Sequence, residues 1–211
     1  MIRSASALLS LAAAGLLGAC GQESSAASAQ PEPRPQAFAG VSAAHPIVVE
    51  LFQTQGCSSC PPVNANVNAL AARPEVLALS FAVTYWDQLA WKDSFAKLAF
   101  TARQWEYARR AGRPQVATPQ VILNGAPAIV GSNRLQLEQA IRSEGLARGG
   151  PALTLEGQTL LVGAGRAGTP ATVWLVRYEP RSIEIAIRAG ENGGRTLPHR
   201  DIVRELVKLD A

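Results

Sequence analysis

Hydrophobic positions fall into blocks with three different periods along this chain. Leu8 to Leu17 is a short run of leucine, alanine and glycine with one serine, preceded by a lone charge at Arg3. It is too short to span a bilayer and has the make-up of the apolar region of an export signal, here residues 1–19. Residues 20–44 are rich in Ser, Ala, Pro and Gln, with few large apolar side chains. They bury too little surface to offset the entropy of ordering, and a flexible tether is expected. At His45 to Phe52 the pattern becomes a β-branched apolar run, the sign of a buried strand. Val63, Val67 and Leu70 then recur at helical spacing, and Leu77 to Val83 supplies another strand. Ser94 to Arg110 reads as a long helix with Phe95, Leu98, Ala102 and Trp105 along one face.

The next blocks are shorter. Val121 to Leu123 is a strand, Asn124-Gly125 a hairpin turn, and Ala126 to Val130 the returning strand. Ser132 is expected to cap a helix with Leu135, Leu137 and Ile141 inward, ended by Gly145. Residues 149–211 read as a β-rich extension of a main domain over 45–148. Its expected hairpins are Ala152–Glu156 with Thr159–Val162, and Thr172–Tyr178 with Ile183–Arg188. Ile202 to Leu209 fits either strand or helix.

Charge adds little. The formal net charge is +4, and removal of residues 1–19, which carry Arg3 and no acid, leaves 4 − 1 = +3. That scattered excess does not indicate nucleic acid as a partner.

Chemistry concentrates in Gln55-Gly56-Cys57-Ser58-Ser59-Cys60-Pro61-Pro62, which holds two of the three cysteines. A strand feeding a C-x-x-C at a helix start is the thioredoxin arrangement. Peptide N–H groups at a helix N-terminus stabilise an anion, so Cys57 is expected to be the exposed nucleophile and Cys60 the resolving thiol. The prolines leave two starts open: a helix from Cys57 kinked at Pro61, or one from Pro61 capped by Cys60. A structural disulfide across so small a loop would stabilise little. A zinc site would need further ligands, and His45 and His199 lack the spacing. Ser58 and Ser59 supply hydroxyl donors but no cation, which predicts a moderately lowered Cys57 pKa, nearer 7 than the lowest C-x-x-C sites.

Thr118-Pro119 heads the strand–turn–strand–helix ending, where a thioredoxin-like fold carries a cis-proline facing the cysteines. Thr118 and Pro119 are therefore the expected substrate-positioning residues. Tyr85, Trp86 and Asp87, in an aromatic-rich loop, are candidates for a groove wall. So are Glu191 and Arg195, which with Arg188, Asn192 and His199 bracket a glycine-rich turn. Leu17-Gly18-Ala19-Cys20 resembles a bacterial lipobox, in which cleavage leaves the cysteine N-terminal and acylated. Gly21, where aspartate would direct inner-membrane retention, favours the outer membrane.

The stretches VELFQTQGCSSCPP, YWDQLAWKDSF, FTARQWEYA, TPQVILNG with VGS, and GENGGRTLPH together resemble the DUF1223 family of exported bacterial proteins. The resemblance implies a thioredoxin-like α/β fold: a central mixed sheet flanked by helices, a helical insert before the cis-proline, and the C-terminal β-rich extension. Ala82, Thr84, Ala90 and Ser94 stand where that family commonly has His, Asp, Gly and Pro. The expected function is an exported, lipid-anchored thiol–disulfide oxidoreductase on the periplasmic side, acting on protein or small thiol partners. Its redox centre would be the Cys57–Cys60 disulfide itself, with no separate cofactor and no metal. The membrane contact would be through the anchor alone. The alternative is a binding module for a partner protein or a soft metal such as Cu(I). Against that stands the lack of another soft ligand, since Met1, the single methionine, leaves with the signal.

Overall fold

A computed structural model of the chain describes residues 46–144, 151–165 and 171–209. Cys20, the expected signal and tether, and Gly145 lie outside the described residues. The β-branched run forms β1 (Ile47–Gln53), followed by α1 (Cys60–Leu70), β2 (Val76–Ala82), α2 (Leu98–Arg110), β3 (Gln120–Leu123) and α3 (Arg134–Glu144). The C-terminal part adds β4 (Leu153–Glu156), β5 (Thr159–Val162), β6 (Val173–Glu179), β7 (Ile183–Ala186), β8 (Thr196–His199) and β9 (Ile202–Leu209). One mixed sheet runs β3-β1-β2-β9-β6, with β1 parallel to β2 and antiparallel to β3. The pairs β4–β5 and β7–β8 stand as separate ribbons.

Alternation along the central strands sorts the core into two faces. Ile47, Val49 and Leu51 meet Val63, Val67 and Leu70 of α1 and Leu137 and Ile141 of α3. On the opposite face Phe52, Leu79 and Phe81 meet Phe100 of α2 and Val203 of β9. Phe81 stacks on Phe52 at 5.2 Å and takes Phe100 edge-on at 5.4 Å, contacts worth about 1 kcal/mol each beyond burial. That face also buries a charge. The Glu50 carboxylate accepts two bonds from Arg103, at 2.6 and 2.7 Å, and one from Tyr107 Oη at 2.6 Å. Trp174 of β6 covers the Arg103 guanidinium at 5.3 Å. Removing either charge would strand the other, a loss of roughly 3–5 kcal/mol.

Several expectations are corrected. Helix α2 starts at Leu98 instead of Ser94, because residues 93–97 bond elsewhere: Asp93 Oδ1 accepts from the Phe95 amide, and the Lys97 amide donates to Ala82. Its buried face is Phe100, Gln104 and Ala108, while Leu98 is 78% exposed. Polar Gln104 and Arg103 disguised that face. Asn133 caps α3 instead of Ser132, its Oδ1 accepting from the Gln136 amide, and Leu135 is exposed. The turn at Asn124-Gly125 has both residues at positive φ, as a two-residue hairpin requires. Beyond it, however, Ala126 to Val130 makes a single bridge, Val121 to Ile129. Pro127 has no N–H to extend a ladder. Gly131 (φ +84°) then turns the chain where a Cβ would lie 2.7 Å from Val121 Cγ2.

The hairpin β4–β5 forms as expected. The other expected pairing does not: β6 pairs with β9 from Val173↔Leu209 to Glu179↔Ile202, and β7 pairs with β8. Ile202–Leu209 is a strand, and it offers β6 a longer partner than Ile183–Ala186 could. Ile183 and Ile185 instead pack against Ala82, Phe95 and Ile202.

His199 is 1% exposed, edge-on to Phe95, and neither ring nitrogen has a hydrogen-bond partner among the described residues. Burial lowers its pKa from 6.5 to about 4. Between those values the unfolded chain binds the extra proton, so this histidine costs stability as pH falls. Asp201 acts in the opposite sense, since burial raises its carboxyl to about 6 and the folded state is protonated first. The two offset each other in the wild type, and His199→Leu separates them. Urea denaturation of both proteins should show the stability difference moving against wild type by roughly 1 kcal/mol per pH unit from about pH 6 to 4. A difference independent of pH would show that His199 is not held neutral.

Candidate functional site

Both cysteines lie at one end of the central sheet. β1 ends at Gln53, and residues 54–59 form successive turns, with the Cys57 amide donating to Thr54 O and the Cys60 amide to Cys57 O. Helix α1 then begins at Cys60, with Ser59 at the N-cap and the prolines in the first turn. Neither of the two expected starts is adopted. At those positions a missing N–H removes no intrahelical bond, so the prolines are tolerated without a kink.

The two thiols are free and unequal. Hydrogen bonding from the Cys60 thiol lowers the Cys57 pKa, burial opposes it, and Ser59 and Thr118 assist, leaving a value of about 6. Ser59 Oγ is 3.2 Å from Cys57 Sγ, and Thr118 O is 3.8 Å away. Burial first, and then the neighbouring Cys57, push the Cys60 thiol strongly upward. At neutral pH the arrangement therefore supplies one thiolate nucleophile and one protonated thiol. The expected exposure of Cys57 is corrected, because both cysteines are 0% exposed. The Thr118–Pro119 bond is cis, as expected, and the carbonyl of Thr118 accepts from the Cys57 thiol at 3.8 Å.

Of the groove candidates, Tyr85 is brought to the thiols. Burial raises its phenol to about 12, with Gln104 and Thr118 opposing and the two cysteines adding to the rise. Tyr85 Oη, Thr118 Oγ1 and Gln104 Oε1 have no hydrogen-bond partner among the described residues. Trp86 packs on the second core face and sits beside Gly56. Asp87 serves its own loop, accepting from the Asp93 amide at 3.0 Å.

The glycine-rich turn bonds to the cysteine turn. Glu191 Oε2 accepts from Ser58 N at 2.9 Å and Ser58 Oγ at 2.7 Å. Asn192 is fully buried, and its carboxamide donates to Gln55 O at 2.8 Å and Cys57 O at 2.9 Å. Arg195 stands behind it, donating to Asn192 Oδ1. Gly190 (φ +73°) lets this turn pass where a Cβ would lie 3.2 Å from Trp91 Cβ. Asp93 escaped the sequence reading altogether. It is 2% exposed and accepts from the amides of Gln55 and Phe95, while Trp91 Nε1 donates to Gln55 Oε1. Burial raises its pKa. The Asp-Ser-Phe order, an acid two residues before the amide it caps, was the available signal. Among the described residues no three His, Cys, Asp or Glu side chains gather as a metal site, and no helix is long and apolar enough to cross a membrane.

Fold and site together define a mixed α/β protein with a paired-cysteine centre at the end of its sheet, bonded to a loop from its own C-terminal region. The chain belongs to the family described as protein of unknown function (DUF1223), whose model matches residues 48–211. No curated protein matches it. It is similar to a crystal structure of a protein from Agrobacterium tumefaciens, a structural-genomics target. The two share 31% identity over 77% of this chain and 71% of that one, with a TM-score of 0.61.

The split between the thiols sets a pH profile. Alkylation of Cys57 by iodoacetamide, followed by peptide mass spectrometry, should rise with pH around a midpoint near 6 and level off above about 7. Cys60 should stay unlabelled across that range. A Cys57 midpoint at the ordinary thiol value would remove the hydrogen-bonded thiolate from the site.

Proposed function

We propose that the chain is a thioredoxin-like thiol–disulfide oxidoreductase, exported and lipid-anchored through Cys20, acting outside the cytoplasm on protein or small-molecule thiols. The observation that carries this reading is the division between the two thiols: Cys57 lowered to about 6, Cys60 pushed up beside it. A cis-proline and the carbonyl of Thr118 at the same point add the features by which thioredoxin-like folds position a partner chain.

In the reductive direction the Cys57 thiolate attacks one sulfur of a disulfide, forming a mixed disulfide and releasing a thiolate that takes up a proton. Cys60 then gives up its proton and attacks Cys57 Sγ. The Cys57–Cys60 disulfide forms, and the second substrate thiol leaves. Two electrons pass to the substrate, and the reverse sequence oxidises a dithiol. A leading thiol near 6 lies between the extremes of characterised C-x-x-C sites, so the couple is intermediate in oxidising power.

In an insulin-reduction assay Cys57→Ser should abolish turnover, while Cys60→Ser should accumulate mixed disulfides through Cys57. Full activity in both variants would make the pair a passive element and end this reading. For the anchor, mass spectrometry of detergent-extracted protein should find the mature N-terminus at acylated Cys20. An unmodified N-terminus at another residue would refute it.

A further inference from the structure

We infer that the N–H and Oγ–H of Ser58 form the carboxylate subsite for a small disulfide or thiol substrate, and that Glu191 occupies it as a built-in competitor. The inference rests on the thiol–disulfide reading above and names the substrate class. Ser58 directly follows the nucleophile Cys57, and its two donors converge on a single oxygen of Glu191, at 2.9 and 2.7 Å. The other Glu191 oxygen has no hydrogen-bond partner among the described residues. Ser58 and Glu191 are both exposed, so the carboxylate can exchange with one from solution.

The surrounding loop does not have to open for that exchange. Asn192 is buried and holds the carbonyls of Gln55 and Cys57 independently of its neighbour. With Glu191 swung out, Arg188 and Arg195 remain on the same loop, exposed and without an ion pair among the described residues. They favour an incoming anion. Adjacent backbone units are about 3.8 Å apart, comparable to the span from sulfur to carboxylate in a cysteine-derived disulfide. A carboxylate on Ser58 would thus set the substrate sulfur beside Cys57, and the buried Cys57 thiolate must be uncovered for the attack. The thiolate attacks that sulfur, the other half of the substrate leaves as a thiol, and Cys60 completes the exchange, so that the protein dithiol is oxidised as the disulfide is reduced.

The test uses the reduced full chain in single turnover with cystine and dithiodipropionate, which bear a carboxylate at that short span from sulfur, and with 2-hydroxyethyl disulfide and cystamine, which do not. Glu191→Ala should raise the ratio of rate constants, carboxylate-bearing over carboxylate-free, roughly fivefold, and Ser58→Ala should lower it by a similar factor, the scale of a hydrogen bond to a charged group. In parallel, acetate should shift the Ser58 amide resonance saturably in Glu191→Ala and far less in wild type. Equal rate changes with all the disulfides would make Glu191 a cover without carboxylate recognition, and would overturn the inference. So would an unmoved amide. Failure to react even with 2-hydroxyethyl disulfide would instead sink the oxidoreductase reading, and the acetate titration would still decide whether Ser58 is a carboxylate subsite.

Discussion

The carboxamide of Asn192 satisfies a need that β1 and α1 meet only in part. Between the strand and the helix, residues 54–59 turn sharply enough to set one thiol ahead of another, and this leaves the carbonyls of Gln55 and Cys57 facing inward. A buried carbonyl without a donor costs about 1–3 kcal/mol. The Cys57 carbonyl has the Cys60 amide, the Gln55 carbonyl has no backbone donor among the described residues, and one side chain reaches both, from 135 and 137 residues away. The cysteine turn therefore takes its shape from the C-terminal region, and the glycine-rich loop belongs to the site as much as the cysteines do.

A second constraint fixes the opposite side. Glu50, Arg103 and Tyr107 clamp α2 to β1, and Trp174 closes the cluster from β6. With α2 so placed, Gln104 reaches Ala117 O at 2.9 Å and Gln120 Oε1 at 2.7 Å. Those bonds flank Thr118 and Pro119. A buried ion pair remote from the sulfurs thus sets the height at which the Thr118 carbonyl meets Cys57. The low pKa of Cys57 does not come from that carbonyl, which accepts from the thiol; it comes first from Cys60, and then from Ser59 and the Thr118 side chain.

Much of this was legible in the sequence because the central strands are almost wholly apolar and the cysteines, Thr118-Pro119 and Asn124-Gly125 are local signals. What misled was polarity in the interior. Gln104, Asp93, Asn192 and His199 are all buried, so hydropathy placed the inner face of α2 on the wrong residues and left Asp93 unnoticed. Strand partnership was the other blind spot. Residues 183–188 alternate more cleanly than 202–209, yet the three-dimensional competition for β6 favours the latter. No local pattern announces the burial of Cys57.

The strand order β3-β1-β2-β9-β6 has a consequence for how the molecule is made. As the chain is synthesised from its N-terminus, β2 presents an open edge until β9 arrives, more than a hundred residues later. Throughout that interval Phe81 and its neighbours lack Val203, and the cysteine turn lacks Asn192. Such distant pairing delays the closing step of folding and leaves an unpaired edge exposed meanwhile. Until the whole chain has emerged, its thiols are held in a turn that cannot yet keep its shape, and the molecule acquires its chemistry last.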